Sequence, residues 1–216
     1  MPRQDDGPGT ENRQPLTVGR IVEAAQVLIG TEGLDRLSMR RLGTALGVDP
    51  MAIYHHLPSK RAVLTGVLER VLSGLTPPDT SAAWDDQARQ WIARYRKLVS
   101  ANPEIIRAAI IDPAMSEAVA ERATAPLRAA IERAGIVDDV AGCVDVIVDF
   151  VNGATLVHGS AKSQTTAADR ARLARSFDTG LEIILAGIRS RSVVVSSPVS
   201  PRRSRTQSPI RHRSRS

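Results

Sequence analysis

Aromatic side chains are scarce in this sequence: two Trp, two Tyr and two Phe among 216 residues. A core must therefore be built from Ala, Val, Leu and Ile, and there is length enough for one or two domains. The single cysteine, Cys143, excludes an internal disulfide and a CxxC metal knuckle, and it fits a reducing cytoplasm. No apolar run approaches the roughly 18 residues that cross a bilayer, and no charged-apolar-small leader opens the chain. A soluble, intracellular protein is expected. Convincing strands are missing as well, and so are internal repeats. No nucleophile-base pair or metal constellation stands out, so neither catalysis nor a cofactor is expected. His55 and His56 are adjacent, and adjacent helical residues diverge by about 100°, which prevents them from sharing an ion.

The charge is uneven. The formal total is +6, yet from Ser190 onward there are seven arginines and no acidic residue. The remainder carries 22 basic against 23 acidic residues, so the body is close to neutral. The high pI therefore reports a tail. Residues 190–216, rich in Arg, Ser and Pro, and residues 1–14, polar with Pro and Gly, are expected to be disordered. Such a tail attracts polyanions, DNA among them.

The informative stretch runs from Leu37 to Arg61, LSMRRLGTALGVDPMAIYHHLPSKR. Ser38 is placed to cap a short helix whose Leu42, Ala45 and Leu46 share one face. Gly47 supplies the left-handed residue that ends it, with Val48 tucked under the corner. Asp49 caps a second helix with Pro50 at its tolerated first position. Ile53 and Leu57 then face inward and leave Met51, Ala52, Tyr54, His55 and His56 at or near the surface. This is the build of a helix-turn-helix, whose second helix enters the DNA major groove. Gly43, in mid-helix, is expected to weaken the first of these helices by up to about 1 kcal/mol.

The flanks strengthen the pattern. Upstream, LTVGRIVEAAQVLIGTEGL gives a helix with Ile21, Ala24, Ala25, Leu28 and Ile29 on one stripe, ended by Gly33. Downstream, PSKRAVLTGVLERVL starts another at Ser59, with Val63, Val67 and Val71 inward. This order, with IYHHLPSKRAVL at its centre, resembles the TetR/AcrR family of bacterial transcriptional regulators over about Leu16 to Leu75. The resemblance implies an all-α fold in which residues 15–75 bind DNA and residues 76–189 dimerise and hold an effector. It places Arg40 against DNA, where arginine bonds guanine O6 and N7 bidentately. Tyr54, His56 and Lys60 match phosphate contacts, and their chemistry suits anionic oxygens. Ser38, Arg41 and His55 complete the expected surface, with Arg41 on a phosphate or solvated. Met51 and Ala52 bring no hydrogen-bonding groups, so readout there rests on thymine methyls.

After the proline break TPPDTS at 76–81 the pattern is helical throughout. One helix carries Trp84, Trp91, Tyr95 and Leu98 on a stripe and stops at Asn102-Pro103. EIIRAAII follows and ends at Asp112-Pro113. Residues 116–134 read as helix, with Pro126 expected to kink or divide it. The helix from 137 has two apolar faces, Val144, Ile147, Val148, Val151 and Ala154 on one and Val146, Phe150, Gly153 and Val157 on the other. A polar stripe of Asp145, Asp149 and Asn152 separates them. A helix apolar on two sides is buried on two sides, so a second copy of the chain is expected to cover one. The expected homodimer interface comprises Phe150, Gly153 and Val157 with Phe177, Leu181, Ile184, Leu185 and Ile188 of the last helix, about 167–189. Trp84, Trp91, Tyr95, Asp149 and Asn152 are the expected lining of a pocket for a small, mostly apolar effector.

The resemblance implies a repressor, expected to be cytoplasmic and nucleoid-associated when bound to a palindromic operator. The competing reading is a non-specific nucleic-acid binder driven by the basic tail.

Overall fold

The computed structural model describes residues 15–136, 138–160 and 166–191; the polar start and nearly all of the basic tail lie outside them. Among the described residues every regular element is helical. The order is α1 (Val18–Glu32), a 3-10 turn (Leu34–Arg36), α2 (Met39–Leu46), α3 (Pro50–Tyr54), α4 (Lys60–Ser73), α5 (Trp84–Ala101), α6 (Pro103–Ile111), α7 (Pro113–Arg133), α8 (Val140–Ser160) and α9 (Ala167–Ser190).

Local chemistry sets the helix ends. The side chains of Thr17, Ser38, Asp49 and Ser59 each accept a first-turn amide of the helix that follows, supplying partners the helix itself cannot give. Thr166 and Asp169 form a reciprocal capping box on α9. Gly47 adopts φ 66° and ends α2, a conformation that favours glycine.

Helices α1 and α4 pack closely because Gly66 faces Val22; a Cβ on Gly66 would sit 2.7 Å from Val22 Cγ2. Helix α4 then leans on α7, with Thr65 Oγ1 donating to Met115 O at 3.3 Å and Arg122 paired with Glu69 at 2.9 Å. Helix α5 lies among α7, α8 and α6. The buried residues form one continuous core from Ile21 of α1 to Ile188 of α9.

Three expectations change here. Helix α7 is not divided: it runs unbroken through Pro126, whose ring removes one N–H without ending the helix, since neighbouring helices hold both halves. Helix α8 includes an 18-residue stretch, Val140–Val157, long and apolar enough to cross a membrane by length and composition, contrary to the reading that no run approached that length. Its inner face, Cys143, Val144, Ile147 and Val151, is buried in the core. The interface assigned to α9 is largely taken up inside the chain, because Phe177, Leu181, Leu185 and Ile188 are buried. Phe177 stacks on Phe150 with centroids 5.1 Å apart, and the Arg96 guanidinium lies 3.8 Å from the Phe177 ring centre. Gly180 makes room for the Phe150 ring, which a Cβ would meet at 2.6 Å. On α8, Gly153 and Val157 are exposed in the single chain, joined by Val146, and Ile183 of α9 is exposed as well.

Candidate nucleic-acid interface and interior site

Helices α2 and α3 meet at a tight corner. Val48 N donates to Gly43 O at 3.0 Å, and a Cβ on Gly43 would lie 2.9 Å from Val48 O and 3.3 Å from the Pro50 ring. Gly43 is therefore a close-approach residue; the lost helix propensity is offset by the contact it permits. Leu42 and Ile53 are wholly buried beneath the corner, which fixes α3 by its inner face. Helix α3 is short, and His55 and His56 fall in the turn after it, with His56 N bonded to Ile53 O at 2.9 Å.

The outer face carries the side chains singled out from the sequence. Ser38, Arg40, Arg41, Met51, Tyr54, His55, His56 and Lys60 are exposed, and Ala52 is half-buried. Met51 at 61% and Tyr54 at 41% are unusually open for residues of their type, so the core does not hold them. Arg40 and Lys60 enter no ion pair among the described residues. Arg41 differs: its Nε and Nη2 donate to Glu32 at 3.0 and 2.7 Å. That hydrogen bond draws the Glu32 carboxyl below its ordinary value and raises the guanidinium. Arg41 is thus a strut between α2 and the end of α1, more than a free cation.

The expected pocket residues separate into two groups. Trp91, Tyr95 and Asn152 come together inside: the Trp91 and Tyr95 rings stack at 4.8 Å, and Tyr95 Oη donates to Asn152 Oδ1 at 2.9 Å. Trp91 Nε1 donates to Ala123 O at 3.1 Å. Burial pushes the Tyr95 phenol up to about 12. Asp149 is exposed, and Trp84 lies at the far end of α5 beneath Arg189, whose guanidinium is 6.0 Å from its ring. Neither joins the buried group.

Thr155, absent from the expected set, sits one turn beyond Asn152 on α8. Its Oγ1 is buried without a hydrogen-bond partner. Helical spacing from Asn152 was the available signal, but a lone threonine on an apolar helix reads as a core residue. A buried unpaired hydroxyl costs about 1–3 kcal/mol.

Residues 21–67, which span this corner and its flanks, match the model of bacterial regulatory proteins of the tetR family. The HTH-type transcriptional repressor DrrR1 of Streptomyces coeruleorubidus is 36% identical over 96 residues, 42% of this chain and 36% of that protein. The tetracycline repressor protein class A from transposon 1721 of Escherichia coli is 27% identical over 88% of this chain and 97% of its own length. BioQ of Mycobacterium smegmatis shares the fold with TM-score 0.69 and 25% identity over 82% of this chain and 99% of that one. Over residues 21–67 the chain matches the tetR family. BioQ solved with its double-stranded DNA operator matches it at TM-score 0.67 and 26% identity, again over 82% and 99%. The chain spans little more than a third of two of the curated relatives it matches, 36% and 38% of their lengths.

Proposed function

We propose that this protein is a DNA-binding transcriptional regulator, a repressor that holds a palindromic operator as a homodimer and is released by a small, mostly apolar effector. The observation that carries the reading is the capped α2–α3 corner, which holds Arg40, Met51, Tyr54, His55, His56 and Lys60 outward and exposed. Residues 15–75 are the DNA-reading part. Arg40 bonds guanine in the major groove, and Met51 and Ala52 meet thymine methyls. Ser38, Tyr54, His55, His56 and Lys60 set the register on phosphates, with Arg41 holding α2 in place. The BioQ operator complex supports this placement by likeness of fold.

Residues 76–189 pair the protomers and receive the effector. The open strip of Val146, Gly153 and Val157 on α8, with Ile183 on α9, is the pairing surface. The effector lies on the Trp91–Tyr95 stack, with Asn152 and Thr155 as its polar contacts. The route from that site to DNA runs along α5. Its C-terminal Asn102 accepts from Gln26 Nε2 of α1 at 3.5 Å, and Arg70 of α4 donates to Gln26 Oε1 at 3.0 Å. An effector that shifts α5 thereby shifts α1 and α4, and DNA and effector oppose each other by reciprocal linkage. The protein works in the cytoplasm, at the nucleoid when bound.

The test is to sequence the genomic fragments that the purified full-length protein retains, then titrate the recovered duplex. Arg40→Ala is expected to weaken it by roughly 1–3 kcal/mol and to relax preference at one base pair per half-site. Lys60→Ala is expected to weaken all duplexes alike and to reduce the salt slope by about one. Retention of random fragments, with both variants behaving like the parent, would favour the non-specific binder that the arginine-rich tail suggests.

A further inference from the structure

A cleft of about 320 Å³ opens between the 3-10 turn, the start of α4 and the α6–α7 corner. That volume is within the range of small-molecule sites, about 300–1,000 Å³. Leu34, Leu64, Ala108 and Met115 form its apolar walls. Ile111 stands at the opening 76% exposed, beside Ile110 at 49%, an aliphatic pair left in water where most such residues are buried.

The polar groups at the rim are few. Arg61 pairs with Asp112 across the cleft at 2.9 Å, so those two charges balance. Lys60 also lines the cleft and has no ionic partner among the described residues. An apolar slot beside one unbalanced cation suits an amphipathic monoanion. The tail of such a ligand removes apolar surface from water, and its carboxylate meets the ammonium.

We infer that this cleft is a second ligand site, separate from the α5–α8 interior, and that it takes a free acyl carboxylate whose head group engages Lys60. Occupancy then opposes DNA binding directly, because the neutralised lysine is the one proposed to hold a phosphate. This coupling rests on the DNA-binding reading above; the binding itself does not.

The probe is decanoate, kept below its micelle threshold and titrated into the full-length protein by calorimetry. Position 111 provides a matched pair of variants, exposed enough that neither charge disturbs the core. Ile111→Asp is expected to weaken decanoate by about tenfold or more, the size of a like-charge contact near a protein surface. Ile111→Lys is expected to bind it at least as tightly as the parent. A folding defect would move both variants together, whereas an anion site separates them by sign. No binding at millimolar decanoate, or equal affinities in all three proteins, overturns the proposal. Weakening by both charges alike does the same. In a second arm, decanoate is expected to release the retained duplex from the parent and not from Ile111→Asp. Equal release from both overturns the coupling, and a protein that retains no specific duplex fails the earlier reading while the calorimetry still decides the site.

Discussion

Single atoms decide two questions in this protein. Gly43 lies where Val48 O and the Pro50 ring press against α2, so Gly43→Ala meets contacts at 2.9 and 3.3 Å. Alanine gains up to about 1 kcal/mol of helix propensity, but overpacking against backbone costs about 1–3 kcal/mol. The expected net result is a loss of stability and a displaced α3, read as a lower urea midpoint together with weaker duplex binding. Tyr95 is the second case. Burial pushes its phenol up to about 12 in the folded chain, from an ordinary 10.0. The folded state therefore holds this proton more tightly than the unfolded chain does. Its contribution is complete below pH 10 and is lost as pH rises towards 12, by roughly 3 kcal/mol in all. Urea melts across that interval are expected to show the decline in the parent and a flatter dependence in Tyr95→Phe. An equal slope in both would detach the phenol from the alkaline loss.

At the scale of the helix, α8 and α9 separate burial within the chain from burial between chains. Phe177, Leu181, Leu185 and Ile188 are already covered, so a charge at Leu181 would damage the fold before it tested any interface. Val157 and Ile183, each 68% exposed, are the informative positions. In the proposed dimer, Ile183→Glu buries an unpaired carboxylate, a change that costs several kcal/mol when no partner is near. Sedimentation is expected to give a dimer for the parent and a monomer of unchanged helicity for Ile183→Glu, with duplex affinity falling alongside. A monomeric parent would remove α8 and α9 as the pairing surface.

For the whole molecule, the point at which the basic tail leaves matters. Arg189 pairs with Asp85 at 2.6 Å and Arg191 approaches Asp139 at 3.9 Å, so the last described residues lie at the start of α5. The opposite end of α5, at Asn102, is the end that touches α1. Eighteen residues of helix, about 27 Å at 1.5 Å each, separate the two. Arg191, the first of the seven arginines of 190–216, is thus remote from α2 and α3. A protein ending at Arg191 is expected to keep its preferred duplex sequence and to lose non-specific affinity and part of the salt slope. Titration of preferred and scrambled duplexes across a salt series checks this, and identical slopes would leave the tail without a DNA role.

Much of this architecture is local and therefore legible in the sequence. Ser38, Gly47, Asp49 and Ser59 act on amides and dihedrals within a few residues of themselves, so capping and turn chemistry set α2, α3 and the start of α4 by residue type alone. The outward set from Arg40 to Lys60 follows from the same spacing, because a buried Leu42 and Ile53 leave their neighbours outside. What the sequence does not determine is which apolar face meets which. The stripes on α8 and α9 are equally apolar whether they pack on each other, on α5 or on a second copy. Only the packed chain shows that α9 uses its stripe inward while Val146, Val157 and Ile183 remain open. Gly43 reads as a weak point until Val48 and Pro50 are brought against it. Asn152 and Thr155 likewise depend on α5 lying across α8, which turns one into Tyr95's partner and leaves the other's hydroxyl alone. Side-chain periodicity is a property of one helix, whereas burial and pairing belong to two, and that is where tertiary structure decides.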